Sequence, residues 1–179
     1  VDTRRLHLLP NAVGTLGALP DREAARAKLA ERFGVPADRP FALYPVRGIR
    51  RKNLGELCLL AAHAPKGTAF AVALRSSSEE PAFIHDDWVE FAAHQGLPVA
   101  FDVVGPNPES FTSWLERASH LVTTSISEGF GLTFLDPAFL GKPLIGRDLP
   151  EITRDFDPVG ALYQSLPVPL ENLPGLKEI

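Results

Sequence analysis

The sequence predicts an α/β chain built on a doubly wound parallel sheet. Strand-length apolar runs recur along the chain, at residues 41–46, 69–74, 98–104, 120–124 and 144–146, and segments with helical spacing separate them. The runs are continuous rather than alternating, as expected of strands covered on both faces. No two-residue turn such as Asn-Gly joins any pair of them, which argues against antiparallel hairpins.

Each element has its own signals. Residues 7–13 form a short apolar stretch ending in turn residues. A helix is expected over 21–33, rich in alanine and bounded by Pro20 before it and by Gly34 and Pro36 after it. The first strand, 41–46, carries Pro45 near its end. Asn53 is placed to cap a helix running to about residue 64, with Leu54, Leu57, Cys58 and Ala61 on one face. After the strand at 69–74, Asp87 and Glu90 have capping-box spacing, predicting a helix from there through Gln95 that stops at Gly96. A strand over 98–104, a helix over 108–118 and a strand over 120–124 follow. A helix over 132–140, closed by Gly141 and Pro143, leads to a short strand at 144–146. The domain reading is a connector and entry helix over 1–40, a Rossmann-like domain over 41–155, and a proline-rich tail over 156–179. In such sheets ligands sit beyond the carboxyl ends of the strands. The loops after Val46, Leu74, Val104, Thr124 and Gly146 are therefore the ones that carry chemistry.

Composition narrows the function classes. At 179 residues with 45% hydrophobic content, the chain can build a core without disulfides or metal. Its net charge of −4 gives no global reason to bind nucleic acid or an anionic membrane. No apolar run approaches the roughly 20 residues of a membrane helix. The single cysteine, Cys58, excludes an intramolecular disulfide and fits a reducing compartment. The first residue is Val1 and methionine is absent, so a processed chain or a fragment is expected.

Two loops stand out. The first, Arg47-Gly48-Ile49-Arg50-Arg51-Lys52, holds four cations and no acid in a chain that is acidic overall. At the end of a parallel strand it suits an anion clamp, with Arg as a fixed fork and Lys as a point charge. A solvated basic loop is the alternative. The second runs from Ser125 to Asp136 and sets Gly129 and Gly131 around Phe130 just before a helix. Glycines permit close backbone approach, and the helix start offers unpaired N–H groups of partial positive charge. Glu128 and Asp136 are placed to accept sugar hydroxyls. Their alternative is to complement the helix dipole.

These residues resemble a known family. Residues 128–146 look like the E-x7-E segment of retaining GT-B glycosyltransferases of family 4, which runs Ser-x-x-Glu-Gly-Phe-Gly-Leu and then Gly-x-Pro-Val. Ser125, Glu128, Gly129, Phe130, Gly131 and Leu132 match it, while the second acid is Asp136 and Pro137 takes the usual small-residue place. Arg47 and Lys52 have the spacing of the family's donor-diphosphate pair, with Val46 and Asn53 where glycines are usual. Residues 8–13 resemble its Pro-Asn-Gly-Val connector. The resemblance spans roughly residues 8–155 in three motifs. It implies the C-terminal, nucleotide-sugar-binding half of a GT-B architecture. Arg47 and Lys52 would then neutralise the departing diphosphate, aided by backbone N–H groups near Gly131, Leu132 and Thr133. Gly129 and Phe130 would line the donor site, Glu128 would contact donor-sugar hydroxyls, and Asp136 the ribose. Arg47, Lys52 and Glu128 would be the catalytic residues.

The resemblance further implies a UDP-, GDP- or ADP-sugar donor, and a separate N-terminal acceptor domain missing from this chain. The chain alone would then be inactive in transfer. The enzyme would be cytoplasmic, with peripheral membrane contact through the missing domain as a further option. No metal or cofactor is expected, because fixed cations and dipoles can stabilise the leaving diphosphate. His85-Asp86-Asp87 is the nearest metal-like string, and capping by Asp87 accounts for it. Cys58 reads as core, and His63 and His94 as helix-end residues. Base contacts are expected near Gly105-Pro106-Asn107. The changes at Val46, Asn53 and Asp136 keep a second hypothesis open, a non-catalytic module that retained the fold. A sugar-nucleotide epimerase is a weaker third, since Phe134 stands where the dinucleotide fingerprint needs glycine.

Overall fold

The computed structural model describes residues 38–77, 79–105, 109–154 and 160–164, together with 21, 23–25, 27 and 30. The expected connector at 8–13 and most of the expected helix at 21–33 lie outside the described residues. Among the described residues, β1 (Phe41–Gly48), α1 (Leu54–His63), β2 (Ala69–Arg75), α2 (Glu79–His94), β3 (Val99–Ala100) and α3 (Glu109–Arg117) follow in order. Then come β4 (His120–Thr123), α4 (Leu132–Leu140), β5 (Leu144–Arg147), α5 (Pro150–Thr153) and β6 (Gly160–Tyr163). The strands form one sheet of order β3-β2-β1-β4-β5-β6, and every pair is parallel.

Two apolar layers sandwich this sheet, as continuous strand hydrophobicity requires. On one face Leu54, Leu57 and Ala61 of α1 pack with Tyr44, Val46, Phe70, Val72 and Val122, and Trp88 of α2 packs against them. On the other, Trp114 and Leu115 of α3, Phe134 of α4 and Leu149 pack with Phe41, Leu43 and Leu121. Cys58 is buried, and burial pushes its thiol up to about 11, which fits a core residue. The sheet order reverses between β1 and β4. That switch point opens a crevice between the loop after β1 and the loop after β4.

The structure corrects several boundaries. α2 begins at Glu79, so Asp87 lies in mid-helix and caps nothing; the Asp87–Glu90 spacing was a coincidence inside a continuous helix. Gly96, at φ +62°, does end it. β3 has only two residues instead of seven, because Asp102 adopts φ +56° and bends the chain. Val104 nevertheless still donates to Ala73 O at 3.1 Å. Pro45 has no N–H for the ladder, and the β1–β2 register shifts between Tyr44 and Arg47, where it sits. Asn53 precedes α1, but its side chain makes no capping bond; it takes φ 49°, ψ 60° instead. α5 and β6 were not anticipated, and β6 lies in the segment read as tail. Both are too short for periodicity to register, and β6 forms on the edge that β5 offers.

Candidate functional site

The crevice gathers charge from two loops. A 3₁₀ turn, Arg50–Lys52, follows β1 and directs Lys52 inward, where the side chain is buried. Glu128, from the loop after β4, meets it there in an ion pair with Lys52 Nζ. Arg51 Nη1 donates to the second Glu128 oxygen and to Ser127 O, both at 2.9 Å. Ser125 Oγ donates to Glu128 Oε1 at 2.6 Å, and Thr133 Oγ1 reaches the same oxygen at 3.5 Å. Burial pushes the Glu128 carboxyl up, but the hydrogen bonds from Lys52, Ser125 and Arg51 outweigh it and hold it below its usual range. Burial lowers Lys52, and Glu128 only partly offsets this.

The backbone beneath Lys52 is fixed just as firmly. Thr124 Oγ1 donates to Lys52 O at 2.9 Å and to Asn53 O at 3.0 Å. Tyr44 OH lies 3.1 Å from Lys52 O and 2.7 Å from Ser125 Oγ. Ile126 N–H donates to Arg51 O at 2.9 Å, lacing the two loops together. Next to this stands a second buried network. Glu56 accepts from Asn53 Nδ2 at 2.7 Å, from Arg147 Nη2 at 2.6 Å and from Tyr163 OH at 2.7 Å. It ties the start of α1 to the ends of β5 and β6.

α4 starts behind Glu128. Gly131 occupies its N-cap at φ +72°, and no side chain caps the first turn. A Cβ there would lie 2.3 Å from Ile152 Cγ2, so both the backbone angle and the packing against α5 demand glycine. No acidic residue lies in the first turn of α4. Complementing the helix dipole therefore does not account for Asp136, which sits in the second turn. Glu128 is spoken for by the cations.

The expected residues thus divide. Lys52, Glu128 and Thr133 converge with Ser125 and Arg51. Arg47 stands exposed at the end of β1, and Asp136 is half-buried, its carboxyl pushed up by burial; neither shares a hydrogen bond or ion pair with that cluster among the described residues. Phe130 is exposed, as are Gly129 and Leu132. Of Gly105-Pro106-Asn107, only Gly105 is among the described residues. Arg51 was visible as part of a basic run, and Ser125 as part of the motif. Tyr44 and Thr124 gave no signal, because each reads as an ordinary strand residue.

The metal-like string does other work. Asp86 pairs with Arg75, and His85 is fully buried with Nε2 3.2 Å from Asp102 Oδ1. Among the described residues no three His, Cys, Asp or Glu side chains are grouped to hold a metal ion, and no helix is long and apolar enough to cross a membrane. A cavity of about 740 Å³ lies between α1 and α2, lined by Cys58, Trp88 and Phe91 among others. A smaller one, about 310 Å³, adjoins the basic loop between Ile49, Ile84, Trp88 and Ile126.

A basic loop after β1, facing a glycine-flanked acid and a helix start across the switch point of a parallel sheet, defines a class. The chain has the Rossmann-like fold of a C-terminal GT-B glycosyltransferase domain. Comparison with individual proteins agrees. It is 28% identical over 149 residues to a D-inositol 3-phosphate glycosyltransferase of Xylanimonas cellulosilytica, covering 80% of this chain and 35% of the relative. Sucrose-phosphate synthase from Thermosynechococcus elongatus superposes with a TM-score of 0.55 at 26% identity, over 69% of this chain and 30% of that one. Anabaena Alr3699/HepE in complex with UDP and glucose superposes with a TM-score of 0.53 at 18% identity, over 68% and 33% respectively. No family model matches the chain. The chain therefore spans about a third of the length of these relatives.

Proposed function

We propose that this chain binds the nucleotide-sugar donor in retaining glycosyl transfer, the acceptor being held by an N-terminal domain of the same polypeptide. The observation that carries this reading is the Lys52–Glu128–Arg51 cluster, set at the switch point in front of the uncapped start of α4. A diphosphate leaving group gathers negative charge as the glycosidic bond breaks. Lys52 and Arg47 would stabilise that charge, with the N–H groups at Gly131, Leu132 and Thr133 adding fixed dipoles. No metal need take part, so chelators should leave binding unchanged. Glu128, released from Lys52 by the incoming diphosphate, would accept hydroxyls of the donor sugar. Asp136 would face the ribose. Gly129 and Phe130 would form the exposed lip of the site.

UDP binding by HepE supports a uridine donor as the first to test. A cytoplasmic location is part of this reading, since nucleotide sugars are made there. Calorimetric titration with UDP, GDP and ADP, and with their sugar conjugates, tests the proposal. At least one should bind, whereas transfer by the isolated chain should be weak or absent. A folded sample that gives no heat with any of them would refute it. Such a result would favour the non-catalytic module, for which the changes at Val46, Asn53 and Asp136 are the argument.

A further inference from the structure

We infer that Tyr44 is a positioning residue of this site, its buried hydroxyl coupling the Glu128 carboxylate to the backbone that carries Lys52. The inference rests on the donor-site reading for its purpose, but on hydrogen-bond geometry for its substance.

Tyr44 is fully buried in β1, so its hydroxyl has no access to water and depends on protein partners. Lys52 O lies at 3.1 Å and Ser125 Oγ at 2.7 Å, Thr123 and Thr124 also face the hydroxyl, and Ser125 in turn reaches Glu128 Oε1 at 2.6 Å. Along the path from Lys52 O through Tyr44 and Ser125 to Glu128, three contacts share the two protons of the Tyr44 and Ser125 hydroxyls. The ionised carboxylate can only accept, so Ser125 must give its proton to Glu128. Tyr44 then gives its own to Ser125, the shorter of its two contacts on that path. Lys52 O keeps the Thr124 hydroxyl as its donor.

The chain Tyr44→Ser125→Glu128 is cooperative: a Ser hydroxyl that accepts a proton is the better donor. When Glu128 turns away toward a sugar hydroxyl, Ser125 has no acceptor there. Its proton can rotate to Tyr44, freeing the phenol to donate to Lys52 O. The backbone carbonyl of Lys52 itself gains a second donor at the moment Glu128 leaves. One pair of hydroxyls thus registers the loop after β1 against the loop after β4. Glu128 is faced by Lys52 and Arg51 from the 3₁₀ turn, by Ser125 of its own loop, and by Thr133 of α4. All four remain in the variants that probe Tyr44 alone.

The test is a carbon-detected NMR titration of the Glu128 carboxyl in the ligand-free chain. It compares wild type, Tyr44→Phe, Ser125→Ala and the double variant. Tyr44→Phe keeps the ring and its packing, and should raise the Glu128 midpoint by a few tenths of a pH unit. Ser125→Ala should raise it further. In the Ser125→Ala background, adding Tyr44→Phe should change nothing more, because the path between them is already cut. A Glu128 midpoint that Tyr44→Phe leaves unmoved, or shifts that add in full in the double variant, would overturn the inference. Should Tyr44→Phe fail to fold, 3-fluorotyrosine placed at position 44 keeps the volume and donates more strongly. It should lower the midpoint, and no change would be equally fatal. Since no nucleotide is present, this result is independent of whether UDP binds.

Discussion

Asn53 shows how much of a site can hang on one backbone angle. It holds φ 49°, ψ 60°, a left-handed conformation that costs most residues about 1–2 kcal/mol and that Asn and Gly adopt readily. Asn53, where the family it resembles usually has glycine, therefore suits this backbone as glycine would, and its side chain bonds to Glu56. Asn53→Ala should lose about 1–2 kcal/mol in denaturant unfolding, and more than Asn53→Gly, which keeps the angle. Glu128 has a pH signature of its own. Its folded carboxyl lies below the ordinary value of 4.5. Its contribution to stability is therefore present above that value and lost as pH falls through the folded midpoint. Thermal melts of wild type, taken as pH falls from 4.5 into the acid range, should show it, and Glu128→Gln should flatten the curve over the same range.

At the scale of elements, two features hold the site's walls in place. Gly131 lets α4 start against α5, where a Cβ would collide with Ile152. Gly131→Ala should cost about 1–3 kcal/mol in urea unfolding through overpacking and the positive φ. It should also weaken nucleotide binding, since the N–H groups at the helix start would move. The Glu56–Arg147–Tyr163 network joins α1 to the far edge of the sheet. Arg147→Ala would leave the buried Glu56 carboxylate without its cation, with only the neutral donors Asn53 and Tyr163, so about 3 kcal/mol of stability should be lost. Tyr163, raised by burial and by Glu56, stays protonated as the donor that network needs. These elements also mark where the sequence was and was not legible. The strands β1, β2, β4 and β5, and the helices α1, α3 and α4, were readable because apolar runs and glycine stops are local signals. The start of α2 was not, because a capping-box spacing recurs by chance inside a helix. β3 was over-read because the left-handed turn at Asp102 has no signature in composition. Lys52 and Glu128 were legible as motif residues, but their pairing was not, being a contact across 76 positions.

For the molecule as a whole, the order β3-β2-β1-β4-β5-β6 brings that pairing about. Reversal between β1 and β4 leaves a crevice that neither loop could make alone, and the cations of one loop meet the acid of the other. The net negative charge of the chain conceals this local field. Glu128 occupies the lysine, so under the proposed function a diphosphate would have to displace a carboxylate from it. The most direct measurement is calorimetric titration of the chain with UDP, paired with Lys52→Ala. Saturable binding by wild type, weakened by about 1.5–3 kcal/mol in the variant, is the result expected for a charged hydrogen bond lost from the site. Binding of UDP with equal affinity by a folded Lys52→Ala, or by neither protein, would contradict the account.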